Sequence, residues 1–109
     1  MRTLCFIVED QILKRDPDCD FDNLVPGTEG YLQAEFRFSS EWNSSKKVAA
    51  FYSTMGREYP PQVLKDGKTC MIPAEACSKQ SFAIQVIGKK DGYKILTNKV
   101  TVSQTGGKR

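Results

Sequence analysis

YLQAEFRFSSEWNSSKKVAAFYST, residues Tyr31 to Thr54, holds two alternating, aromatic-rich runs joined by a polar elbow. Alternation with a period of two marks strands with one buried and one solvated face. In the first run Leu32, Ala34, Phe36 and Phe38 share a face, and Gln33, Glu35 and Arg37 share the other. In the second, Val48, Ala50 and Tyr52 oppose Ala49 and Phe51. The elbow, Ser39-Ser40-Glu41-Trp42-Asn43, departs from this pattern. A serine followed by a short acidic and aromatic stretch suits a single helical turn. Trp42, the one tryptophan, is expected beneath it as a lid on the core.

Upstream, Thr3–Glu9 reads as a strand with Leu4, Phe6 and Val8 on one face, and Gln11–Leu13 extends it or forms a second short strand. Asp16–Asp22, DPDCDFD, is an acidic connection, and Val25-Pro26-Gly27 is a turn signal. Downstream, Met55-Gly56-Arg57 reads as a hairpin turn with Glu58–Leu64 as the return strand. Pro60 and Pro61 cannot donate to a ladder, so that strand lies at an edge or starts after them. Asp66-Gly67 favours a type I′ turn, and Asp91-Gly92 marks a second turn. Thr69–Ile72 and Ser81–Ile87 read as strands, with a helical turn from Pro73 to Cys77 between them and proline at its first position. Tyr93–Val102 reads as one long last strand.

Together these elements predict an all-β chain, an antiparallel immunoglobulin-like β-sandwich of about seven strands with one or two short helical turns. Residues 1–104 are expected to form a single domain, and 105–109 a flexible C-terminal tail. The first strand and the proline-bearing strand are the expected sheet edges.

A length of 109 residues provides for one core, and 39% hydrophobic with 27% charged residues lies in the globular range. No apolar run approaches the ~20 residues of a membrane helix. The apolar stretch Leu4–Val8 is too short for a signal core and meets Glu9 and Asp10 at once, which points to synthesis in a cytoplasm. Net charge is +3, and the lysines are spread through turns rather than interleaved with exposed aromatics. That distribution argues against a nucleic-acid partner.

The chain has no histidine and four cysteines, none in a C-x-x-C pair. They read as free thiols rather than as a zinc site or disulfides. Asp16, Asp18 and Asp20 match the first three ligand positions of a calcium loop, but Phe21 and Gly27 stand where glycine and glutamate are required. The segment therefore reads as a solvated acidic loop. A thiol nucleophile relies on a neighbouring base, most often the histidine that is missing here. No enzyme activity, catalytic residue, cofactor or metal is expected. What remains is surface. Tyr31, Tyr52, Tyr59 and Arg57 are the contact candidates, with Asp18, Asp20 and Asp22 as a charged alternative.

Three stretches also carry a resemblance. Phe36–Phe51, the CMIPAEA run Cys70–Ala76, and Phe82–Thr97 together resemble a small β-sandwich module of phage baseplate and tail-fibre proteins, from phages of Gram-positive gut bacteria. Trp42, Pro73, Gly88 and Gly92 fall in these stretches as fold determinants. The resemblance implies a virion structural protein of the tail, baseplate or head, acting as decoration or adaptor. Its partners would be other virion proteins and further copies of itself, with no membrane. It would be made in the bacterial host cytoplasm and reside in the virion. An alternative use of such a module is a small phage-encoded inhibitor of a host defence protein, of the anti-CRISPR type. It would bind through an edge strand or through the acidic stretch as a phosphate mimic. A third is a carbohydrate-binding module that stacks sugars on Trp42 or the tyrosines.

Overall fold

The alternation along Arg2–Glu9 (β1) and Leu32–Phe38 (β3) puts Leu4, Phe6, Val8, Leu32, Ala34 and Phe36 on one buried face. A computed structural model describes residues 1–106 and lays these two strands side by side. They run parallel, with Leu4 opposite Ala34 and Phe6 opposite Phe36. Phe6 stacks on Phe36 with ring centroids 5.3 Å apart. Ile12–Arg15 (β2) folds back on β1 through a turn at Asp10, which takes a positive φ of 54°.

The 3-10 turn Ser40–Trp42 then carries the chain to a second layer, as the elbow implied. Trp42 is fully buried beneath it, and its Nε1–H donates to the Asp10 carbonyl at 2.6 Å. Lys46–Tyr52 (β4) is followed by the short strand Gln62–Val63 (β5), which begins only after the prolines and lies at an edge. Asp66 and Gly67, with φ of 52° and 70°, make the expected I′ turn. That turn moves the chain between layers, because Thr69–Met71 (β6) pairs with β3. Ala74–Cys77 (α1) is one helical turn, and Pro73 caps it at ψ 144° instead of entering it. Ser81–Lys90 (β7) returns to the second layer, where Tyr93–Leu96 (β8) and Val100–Ser103 (β9) both pair with it.

The result is an all-β sandwich of a sheet ordered β2-β1-β3-β6 and a sheet ordered β5-β4-β7-β8, with β9 also on β7. The all-β, two-layer expectation holds. Three details differ from it. First, the β1 strand is interior, not an edge. The loop 16–31 brings the chain back to the start of β1, so β3 can enter parallel on the free side of β1.

Second, the long last strand is broken. Thr97 turns inward and is buried, its Oγ1 accepting the Val86 N–H at 3.0 Å and donating to the Asn98 carbonyl at 2.8 Å. The Asn98 side chain then accepts the Leu13 N–H at 2.7 Å and donates to the Leu13 carbonyl at 3.1 Å. One amide thus supplies the strand partner that the edge of β2 lacks. Cys19 does the same for β1, where β2 has ended. The Cys5 N–H donates to the Cys19 sulfur at 3.1 Å, and the Cys19 thiol faces the Thr3 carbonyl at 3.7 Å.

Third, the start of the expected tail is docked. Gln104 is buried, and the Gly106 N–H donates to the Leu24 carbonyl at 2.8 Å. Of that tail, 107–109 lie outside the described residues. Among the described residues no helix is long and apolar enough to cross a membrane.

Candidate protein-contact site

Residues that face each other across a ladder share a side of the sheet. On the outer side of the second sheet this places Val63, Val48, Ile87 and Leu96 in one row across β5, β4, β7 and β8. The ends of the row are open to solvent, with Val63 75% and Leu96 41% exposed. Two residues further along, Lys46, Lys89 and Lys94 form a second row, also directly opposite one another and all exposed. Like charges in register destabilise a sheet. Lysines often protect sheet edges, and Lys94 lies on the edge strand β8, whereas Lys89 lies on the interior strand β7 and Lys46 on β4 just beyond its short pairing with β5. The ion pairs among the described residues join Arg2 to Asp20, Lys14 to Glu9 and Arg37 to Asp16, so none neutralises this row. The face thus carries an aliphatic strip beside a cationic strip, with Asp91 in the adjoining turn between β7 and β8.

At the far end of the same face, the Tyr52 hydroxyl donates to Gln85 Oε1 at 3.0 Å, and the Lys99 ammonium sits 4.0 Å from its ring centre. Burial, and then the charge of Glu58, push the Tyr52 phenol above its ordinary value. Arg57 is exposed in the turn after β4. Tyr59 is largely buried. Its N–H donates to the Phe51 carbonyl at 2.8 Å, which turns the ring into the core and leaves it 9% exposed.

The remaining candidates gather at the other layer. Arg2 organises them. Its guanidinium donates to the carbonyls of Asp20 at 2.9 Å and Asp22 at 2.7 Å, while its N–H donates to the Tyr31 carbonyl at 2.8 Å. Two carboxylates tighten the loop from within, Asp16 accepting the Asp18 N–H at 2.9 Å and Asp20 the Asp22 N–H at 2.8 Å. Asp18, Asp20 and Asp22 are exposed, and Tyr31, whose carbonyl Arg2 also holds, is 48% exposed. The acidic loop is thus a braced element with its charges outward.

A groove of about 440 Å³ lies beside the end of β3, lined in part by Asp16, Glu35, Arg37, Lys47 and Lys68. Its charges are mixed. Cys5 borders it, and burial, hydrogen bonding to Cys19 and nearby acids push its thiol up to about 11. At neutral pH this sulfur keeps its proton and is a poor nucleophile. Among the described residues no three Cys, Asp or Glu side chains converge to hold a metal ion.

The seven residues singled out by sequence therefore separate into an acidic end (Tyr31, Asp18, Asp20, Asp22), two members of the second sheet (Tyr52, Arg57), and one core residue (Tyr59). The two rows were not among them. One signal for them existed: β4 reads KKVAAFY, apolar on both faces, where a half-solvated strand needs only one. Trp42 is fully buried, so it offers no sugar-stacking platform.

No family model matches the chain, and no curated protein or solved structure matches it.

Proposed function

We propose that the chain is a non-enzymatic structural protein of a phage particle, which works by binding other virion proteins through the outer face of its second sheet. The observation that supports a role in protein contact is the row Val63–Val48–Ile87–Leu96, and the phage setting rests on the resemblance of Phe36–Phe51, Cys70–Ala76 and Phe82–Thr97. Fully burying an exposed Val or Leu side chain contributes about 1.5–3 kcal/mol, and Val63 and Leu96, 75% and 41% exposed, each retain part of that for a contact. Pairing through edge strands is less well supported, because β5 has two residues and Asn98 occupies the edge of β2. The localisation that goes with this reading is the virion, after synthesis in the host cytoplasm.

The test is co-sedimentation with purified particles. Wild-type protein should pellet with them, and the double variant Val63→Asp, Leu96→Asp should stay in the supernatant while keeping its near-ultraviolet dichroism. Equal pelleting of the double variant would remove the face from the proposal.

A second reading is favoured by the braced acidic loop. Rigid carboxylates spaced along an exposed segment can imitate nucleic-acid phosphates, which suits an inhibitor of a host defence nuclease. Capture of such an enzyme by the wild type, and its loss in Asp18→Lys, Asp22→Lys, would favour this alternative.

A further inference from the structure

The lysine row and the acidic loop lie on different layers of the same molecule, and their chemistries match. We infer that the chain self-associates head to tail, the acidic end of one copy docking on the second-sheet face of the next. This inference rests on the contact face proposed above and names its occupant.

Each surface carries both halves of a complementary contact. The face has an aliphatic row flanked by Lys46, Lys89 and Lys94. The acidic end has the exposed Asp18, Asp20 and Asp22, on a loop that Arg2 ties to the backbone of the half-exposed Tyr31. The carboxylates of Asp18 and Asp22 make no ion pair among the described residues and can meet the ammonium groups, while Asp20 holds the turn and pairs with Arg2. Neither surface needs to change shape to bind. The sheet face is rigid ladder, and Arg2 with the two aspartate turns holds the loop. Pre-organised partners avoid the ordering cost that weakens contacts made by mobile loops. The repulsion within the lysine row is relieved when acids arrive between the ammonium groups. Because the acidic end belongs to the first sheet and the lysine row to the second, one copy cannot satisfy its own pair. The contact is heterologous, and repeating it generates a ring or an open filament.

The experiment is sedimentation velocity on the full chain across a wide concentration range, at low and high salt. Wild type should form larger species that dissociate as salt rises. The loop variant Asp18→Lys, Asp22→Lys keeps Asp16 and Asp20, which hold the turns. The face variant is Lys46→Glu, Lys89→Glu, Lys94→Glu. Each alone should associate roughly tenfold or more weakly than wild type. An equimolar mixture of the two should regain assembly, since each reversed surface then meets a reversed partner. A wild type that stays monomeric throughout, or a loop variant that assembles as well as wild type, would overturn the inference. Particle binding separates this failure from that of the contact face. A monomeric wild type that still pellets with particles, and loses pelleting only in the face variant, refutes self-docking and retains the face for a foreign acidic partner.

Discussion

Gly88 lies against the indole of Trp42 so closely that a Cβ on it would stand 2.6 Å from Trp42 Cζ3 and 2.9 Å from Ile95 Cγ2. Its backbone has no unusual φ, so the requirement for glycine here is one of space alone. The tryptophan crosses the elbow between the layers and presses on β7, and only a residue without a side chain lets it do so. Gly88→Ala should therefore destabilise the fold by about 1–3 kcal/mol through overpacking. Urea titration followed by tryptophan fluorescence measures this. An unchanged midpoint would mean that the indole has room to move.

Asn98 is expected to matter more than an exposed loop asparagine usually does. Asn98→Ala removes both bonds to Leu13 and leaves the edge of β2 without a partner. A loss of about 1–3 kcal/mol follows from the unpaired groups. Amide exchange at Leu13 should accelerate in the variant, whereas amides of β4 should change only with global stability.

Thr97→Val should cost a similar amount, about 1–3 kcal/mol, because the buried Val86 N–H loses its acceptor. Thr97→Ser retains the hydroxyl and should recover most of it. Thermal melts of the three proteins decide the matter. If valine and serine behave alike, the hydroxyl is not what holds the break between β8 and β9.

Two thiols tie stability to alkaline pH. Burial raises Cys70 from 9.0 to about 12. Burial and Cys19 raise Cys5 from 9.0 to about 11. The folded state thus holds these protons more tightly than the unfolded chain does. The associated stability is fully present below pH 9 and is lost as pH rises through the folded values. The melting temperature should fall across that window and stay flat, as far as these thiols are concerned, between pH 7 and 8. Disulfide reagents at pH 8 should label Cys70 only as fast as the protein opens.

Glu9 gives the opposite sign at the acidic end. The Lys14 ammonium, 2.7 Å away, holds its carboxyl below the ordinary value. Its contribution is present above the unfolded carboxylate range and is lost as pH falls through the lowered folded value. Both groups are at the surface, so the effect should be small and should shrink with added salt. Glu9→Gln should flatten that part of the acid titration.

Much of the fold was legible because it follows from short-range rules. The alternation of Leu32 to Phe38 places three of its four apolar residues in the core as read, with Phe38 at its margin. Asp66-Gly67 takes the two positive φ angles that its sequence favours, and the tandem prolines delay β5 to Gln62. The acidic loop was legible as exposed charge, but its bracing was not, since Arg2 reaches it from about twenty positions away in the chain. The burial of Tyr59 was not legible either, since its N–H pairs with the Phe51 carbonyl across the turn after β4. The aliphatic and lysine rows draw on four strands, and no window of sequence contains them.

Residue order alone was enough to determine that the chain forms strands, where most of them turn, and that Trp42 closes the interior, because side-chain alternation and turn chemistry act over a few positions. Tertiary structure alone decided that β1 and β3 run parallel, that Asn98 and Cys19 stand in for missing strands, and that Val63, Val48, Ile87 and Leu96 meet beside three aligned lysines. Those outcomes depend on which strand lies next to which and in what register. Burial of the whole core sets that choice, and no local preference encodes it.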